Sequence, residues 1–177
     1  MRERLFYGWV IAACAFLALL VTNGLIITGI TAFDPALLAE FGWSRGTLKF
    51  RDLLTFAIAG LLGPLSGALA DRFGVRPLML TGAALLAASM VAYSRIQSSA
   101  GMYAVHVVFA VVLVTCGLIV AVLLTSRWFI ARRGTALGLV IVGTSLGGVV
   151  FPVLNTYAIG AFGWRTAMLV LVSAPVF

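Results

Sequence analysis

The sequence predicts an all-α integral membrane protein, a six-helix transmembrane bundle whose sixth helix is truncated. Composition is the first reason. The 177 residues are 63% hydrophobic and only 10% charged, with a mean hydropathy of +1.16. A water-soluble domain is nearer half apolar and a quarter charged. The second reason is the spacing of the charges. Charge-free runs of 29, 18, 18, 31, 31 and 12 residues begin at Leu5, Leu53, Pro77, Ile96, Gly134 and Thr166. Roughly 20 apolar residues in a helix cross a hydrocarbon core of about 30 Å. Without water, each backbone amide needs a partner within its own segment, so every run should be helical. The third reason is the tryptophans. Trp9, Trp43, Trp128 and Trp164 stand at run ends, where the ring is apolar and its N–H reaches headgroups or water.

Taken in order, the helices are expected at about 7–32, 48–69, 77–95, 102–125, 135–159 and 165–177. The first follows Arg2 and Arg4, as a signal peptide would. Its charge-free run is too long for a signal core of about 7–15 residues, so it stays as a membrane span. The last run would reach only about 18 Å, so the chain reads as five complete spans and a sixth cut off. Twelve basic residues against five acidic ones give a net charge of +7. They are too few and too scattered to track nucleic acid phosphates. Cys14 and Cys116 lie singly inside apolar runs and read as small core residues, not metal ligands.

With the N-terminus inside, seven basic residues fall on the inner side: Arg2, Arg4, Arg72, Arg76, Arg127, Arg132 and Arg133. The outer side holds five: Arg45, Lys49, Arg51, Arg95 and Arg165. The inside-positive bias favours this orientation.

Two loops carry chemistry. Gly67-Ala-Leu-Ala-Asp71-Arg72-Phe-Gly74-Val-Arg76-Pro77 joins helices 2 and 3. Gly74 can end helix 2 at positive φ, and Pro77 suits the first turn of helix 3. Ser126-Arg127-Trp128-Phe129-Ile-Ala-Arg132-Arg133-Gly134 joins spans 4 and 5. The first pattern, G-x-L-A-D-R-x-G-x-R between spans 2 and 3, resembles the signature loop of the major facilitator superfamily. With Tyr7-Gly8-Trp9, Phe41-Gly42-Trp43-Ser44-Arg45 and the second loop, the chain resembles the monocarboxylate-porter-like branch, which includes oxalate/formate exchanger relatives.

That resemblance implies one domain, residues 1–177, forming the N-terminal half of a twelve-helix fold built from three-helix repeats of opposite topology. It implies a secondary transporter in the cytoplasmic membrane, N-terminus cytoplasmic, moving a small organic anion by alternating access, with a proton or in exchange for a counter-anion. Its partners would be the lipid bilayer and a C-terminal six-helix half. No enzyme chemistry, cofactor or metal is implied. Gly67, Asp71, Arg72, Gly74 and Arg76 match the conformational signature, and Asp71 and Arg72 match residues of an inner-side charge network. Arg127, Arg132 and Arg133 lie on the same side as local partners. Two departures stand out: Ile27 occupies the place of the branch's helix 1 cation, and helix 5 lacks the glycine-proline pair of antiporters. Three alternatives stay open: another substrate class (drug, sugar or metabolite), a half-size transporter acting as a homodimer, and a non-transporting scaffold.

Within the membrane, Lys49, Arg51 and Asp52 cluster at the outer end of helix 2. Charges at depth are costly and mark a pathway or a partner, unless they snorkel to headgroups. Lys49 and Asp52, three apart, share a face and can pair. Arg51 points about 100° away from Asp52, so of the two candidate cations for an anion, Arg51 and Lys49, Arg51 is the preferred one. His106, the only histidine, is either a proton relay or a packed residue. Asn23, Thr28, Ser145 and Asn155 either line the cavity or tie helices together. The pairs Gly63/Gly67 and Gly143/Gly147 have the four-residue spacing of close helix contacts. Gly143-Thr-Ser145-Leu-Gly147 also spells the nucleophile-elbow pattern. A serine nucleophile needs a base in reach, and His106 sits at a different depth, so this reading is set aside.

Overall fold

The computed structural model describes residues 7–173. Arg2 and Arg4, and the last four positions of the expected sixth helix, lie outside the described residues. The elements are α1 (Tyr7–Asn23), a π-helical turn (Gly24–Thr28), a 3-10 turn (Gly29–Phe33), α2 (Asp34–Phe41), α3 (Arg45–Phe73), α4 (Val75–Ser94), α5 (Ser99–Cys116), α6 (Leu118–Trp128), α7 (Arg133–Phe162) and α8 (Trp164–Ser173). All are helical. Among the described residues, five stretches are long and apolar enough to cross a membrane: Tyr7–Phe41, Arg45–Phe73, Val75–Ser94, Ser99–Trp128 and Arg133–Phe162. They are spans 1 to 5, and α8 begins span 6.

The helices outlast the charge-free runs. At 1.5 Å per residue, α3 is about 44 Å long, so both its ends emerge from a hydrocarbon layer of about 30 Å. Charged residues can therefore continue a helix beyond the membrane core, and span 2 runs to Phe73 rather than to residue 69. Span 1 likewise continues past residue 32, through Asp34, to Phe41. Local chemistry sets the ends. Ser44 accepts the Thr47 N–H at 3.1 Å to start α3, and Ser98 accepts the Gly101 N–H at 3.2 Å to start α5. Gly74 alone links α3 to α4 at φ 84°, a conformation that a Cβ would disfavour.

Two spans are broken. Span 1 changes from α to π to 3-10 between Gly24 and Phe33, where a regular helix is expected. Span 4 is interrupted at Gly117, whose N–H bonds Leu113 O at 3.0 Å and whose carbonyl accepts from Ala121 at 3.1 Å.

In lipid, helices gain little from hydrophobic burial against one another, so close van der Waals packing carries the association. The dominant contacts are α1 and the π and 3-10 turns along α7, α3 along α5, and α4 along both α5 and α8. Spans 1 and 5 pair as spans 4 and 2 do, the exchange expected of two three-helix repeats. Small residues make the first pair possible. A Cβ on Gly143 would lie 2.5 Å from Phe16 O, and one on Gly147 would overlap Leu20 O. The other small-residue pair does not act this way. Gly67 has nothing within 4 Å of a Cβ, and Gly63 has only Ile119, at 3.6 Å. The spacing is right, but that face of α3 meets no backbone. Of the two cysteines, Cys116 is buried while Cys14 lies on the outside of the bundle, so only the former is a core residue.

These contacts give a stability prediction. Gly147→Ala should lower stability by about 1–3 kcal/mol, the cost of overpacking against backbone. Gly67→Ala should be neutral or gain up to about 1 kcal/mol from the better helix former. Thermal unfolding of the two purified variants in detergent checks this, and equal melting temperatures would contradict it.

Candidate functional site

Three regions gather the functional residues: the Asp71 end, a mid-depth cavity, and the Trp43 end.

At the Asp71 end, the tips of α3 and α6 are joined by Arg127 Nη2 and Asp71 Oδ1 at 2.5 Å. Arg127 lies in the last turn of α6, where a cation suits the helix dipole. Its neighbours are arranged around it. Arg133 Nε donates to Ser126 Oγ at 3.1 Å, and the Arg72 guanidinium sits 5.3 Å from the Phe73 ring centroid. Arg76 and Arg132 are exposed, and Gly67 is half-buried one turn before Asp71. The Asp71 and Arg127 side chains are 75% and 47% exposed. A pair this wet is worth about 1 kcal/mol or less, so it is a contact that can be exchanged.

The mid-depth cavity, about 270 Å³, is lined by spans 1, 2, 4 and 5. Asn23 and Thr144 provide its polar atoms, with Asn23 Nδ2 donating to Thr144 Oγ1 at 3.1 Å. Ile27, Gly63 and the start of α6 complete the wall. The first N–H groups of α6 carry the positive end of its dipole. Among the described residues, none of the side chains lining this cavity is ionisable.

Several expected cavity residues are elsewhere. Thr28 Oγ1 bonds Gly24 O at 3.3 Å within the π turn. Asn155 is buried and donates from Nδ2 to Gly29 O at 2.9 Å, so it supports the irregular backbone of span 1. Ser145 is exposed on the outside of α7, because its neighbour Thr144 takes the inward position. His106 is buried two turns into α5, edge-on to the Tyr93 and Phe109 rings. Its Nδ1 is 2.8 Å from Thr55 Oγ1, and its Nε2 is buried without a partner.

The Trp43 end corrects the expectation for Arg51. Lys49 pairs with Asp52 at 3.2 Å, as its spacing requires. Arg51 is not a free cation, however. It is completely buried, pairs with Asp34 and, at 3.3 Å, with Asp52, and donates to Tyr93 Oη at 3.0 Å. Its direction on α3 points into the bundle, where span 1 brings Asp34 and span 3 brings Tyr93. Sequence reasoning passed over Asp34, Tyr93 and Thr55. The available signal was Asp34-Pro35, an acid and a helix-starting residue directly after the longest apolar stretch of span 1. Glu40 was also passed over. Its Oε2 accepts from Trp164 Nε1 at 2.6 Å and its Oε1 from Arg165 Nη1 at 2.5 Å.

An apolar bundle with broken spans around a shared mid-depth cavity, and charge pairs at its two ends, is the architecture of a membrane solute carrier. The family model described as Major Facilitator Superfamily matches residues 11–177, and the chain belongs to that superfamily, a family of transporters and not of enzymes. The chain is 28% identical to monocarboxylate transporter 11 of Mus musculus over 177 residues, covering 93% of this chain and 37% of that protein. It is 29% identical to monocarboxylate transporter 6 of Homo sapiens over 167 residues, covering 93% of this chain and 32% of that protein. It is 33% identical to a fujikurins efflux protein of Gibberella fujikuroi over 107 residues, covering 60% of this chain and 23% of that protein. The chain thus matches between about a quarter and two fifths of the length of these relatives.

The Arg51 geometry predicts unequal effects of two charge removals. Arg51→Gln leaves the partly buried Asp34 without a cation, and Asp52 with Lys49 only, and should cost about 2–3 kcal/mol. Lys49→Gln removes an exposed pair and should cost less than about 1 kcal/mol. Chemical unfolding of both variants in detergent decides the order, and an equal or reversed order would contradict the buried placement of Arg51.

Proposed function

We propose that the protein moves a small monocarboxylate-type organic anion across the cytoplasmic membrane by alternating access, as part of a transporter with a second six-helix half. The observation that carries this reading is the mid-depth cavity shared by spans 1, 2, 4 and 5, in a chain similar along 93% of its length to named monocarboxylate transporters. The start of α6 adds a partial positive charge at the cavity wall, which favours a carboxylate. With Ile27 apolar, Arg51 enclosed and Lys49 paired with Asp52, this reading draws the full cation for the substrate from the second half. A proton or counter-anion would balance the charge moved.

In this reading Asp71 biases the two-state equilibrium. Its exposed bond to Arg127 is weak enough to be replaced by a contact to the other half, and each kcal/mol of difference shifts populations about fivefold. The basic loops at this end support reading it as the cytoplasmic one, with the N-terminus inside. A protease acting on intact cells should therefore spare a tag at the N-terminus, and cleavage there would reverse the orientation.

The efflux protein among the relatives, together with the apolar cavity wall, favours a second reading, export of a larger apolar metabolite. Uptake and export assays on the full-length protein in vesicles, with a panel of small mono- and dicarboxylates and a bulky apolar acid, separate the two. Transport of the bulky compound alone would overturn the first reading. For Asp71→Asn, monocarboxylate uptake should fall severalfold while membrane levels stay at the parent's value. Unchanged uptake would make Asp71 only a turn residue.

A further inference from the structure

We propose that α2 is a lever, hinged on the irregular segment Gly24–Phe33 and latched by its own two carboxylates, which couples the mid-depth cavity to opening at the Trp43 end. This rests on reading that cavity as the substrate site. The hinge is the place where span 1 leaves regular helical bonding. A π turn and a 3-10 turn in succession are uncommon inside a span, and mid-helix changes of this kind mark hinges and functional sites. The carbonyls here are served by groups that can let go: Thr28 Oγ1 on Gly24 O at 3.3 Å, Thr31 Oγ1 on Thr28 O at 2.7 Å, and Asn155 Nδ2 on Gly29 O at 2.9 Å. Asn155 Oδ1 is buried there without a partner, so half of the supporting amide is unspent in this arrangement. Such an orphaned acceptor favours a second arrangement in which it is satisfied.

The hinge touches the cavity directly. Ile27 belongs to the π turn and lines the cavity wall, and Asn23, which precedes the turn, supplies a polar atom of that wall. A ligand that moves either residue changes the geometry from which α2 projects. At its far end α2 runs into Gly42, at φ 63° with no neighbour within 4 Å of a Cβ, which gives the lever a second swivel.

The latches have a common design. Both acids, Asp34 and Glu40, are on α2, and their cationic and N–H partners are on other spans. Asp34 holds Arg51, and Glu40 holds Trp164 Nε1 and Arg165. Each cation also has a standby partner. When Asp34 leaves, Arg51 keeps Asp52 and Tyr93. When Glu40 leaves, Arg165 keeps the Trp164 ring, 4.3 Å from its guanidinium carbon. The Asp34 and Glu40 side chains are 19% and 39% exposed, so on release both turn to water. Opening therefore strands no buried charge, the usual penalty for breaking such pairs. Leu37, fully buried in the apolar cluster with Leu48, Met102 and Trp164, reseats α2 on closing.

The test is a distance measurement in the full-length protein reconstituted in lipid. Spin labels are attached at Ala39→Cys on α2 and Ala100→Cys on α5, two exposed positions, in a background without other cysteines. Pyruvate is the probe ligand, and its uptake is measured in parallel. The parent should show one dominant distance, with a second population that changes at least threefold on adding pyruvate. In Asp34→Asn/Glu40→Gln that second population should rise at least fivefold without ligand, while Asp34→Glu/Glu40→Asp keeps the parent distribution. If the double variant fails to fold, Glu40→Gln alone, at the exposed latch, should still enlarge the second population. A distribution identical to the parent in the neutralised variant overturns the lever, whatever the uptake. Lack of pyruvate uptake together with enlargement in the neutralised variant overturns the monocarboxylate reading and leaves the lever standing.

Discussion

A guanidinium cannot be left alone where there is no water, and Arg51 is the charged side chain that this bundle encloses completely among its described residues. Burying an isolated charge is prohibitive, so it must be met by opposite charge and by hydrogen bonds. Meeting it takes residues from three spans: Asp34 from span 1, Asp52 from its own helix, and Tyr93 from span 3. Those contacts set the depth of each span relative to the others, as apolar packing alone would not. They also require span 1 to stay helical past its apolar stretch, so that α2 carries Asp34 to the right place. One turn deeper, Thr55 ties the same face of α3 to His106 on span 4. The network thus joins four spans at one end of the bundle.

What holds spans 1 and 5 together is different in kind. Their contact is backbone against backbone at Gly143 and Gly147, with Asn23–Thr144 and Asn155–Gly29 as polar bonds across it. Such bonds between membrane helices are individually worth about a kcal/mol or less. The seam is close-packed yet contains few strong interactions, and it includes the irregular turns of span 1. A cavity beside such a seam can change shape without breaking a charge pair.

The spans were legible in the sequence because the bilayer imposes a length on apolar runs, and the charges of this chain punctuate those runs. The Asp71–Arg127 pairing was legible because both residues lie at helix ends beside short connections on one side, where proximity follows from topology alone. The Arg51 partners were not. They lie 17 and 42 residues away on other spans, and one helix seen alone shows only which of its residues share a face. Counting to the first charge also ended span 1 too early and left Asp34 and Glu40 out. The π and 3-10 turns had no signal of their own, because Gly24–Phe33 contains no proline and reads as continuous apolar helix. Gly67 shows the converse limit: a small-residue spacing can be present on a face that no other backbone approaches.

The charge pairs at the two ends answer the same requirement in different ways. A transporter must break and remake contacts on every cycle, and each broken contact must cost little. At the Asp71 end this is met by exposure, since both partners are largely in water and lose little when parted. At the Trp43 end exposure is not available to Arg51, which lies inside the bundle. There the requirement is met by redundancy: Asp52 and Tyr93 remain with Arg51 if Asp34 withdraws, and the Trp164 ring remains with Arg165 if Glu40 withdraws. Removing a cation and removing a carboxylate are therefore not equivalent at that end. Loss of Arg51 leaves Asp34 without a partner and Asp52 with Lys49 alone, whereas after loss of Asp34 the buried Arg51 still contacts Asp52 and Tyr93. That asymmetry distinguishes a residue that holds the bundle together from one that is free to move.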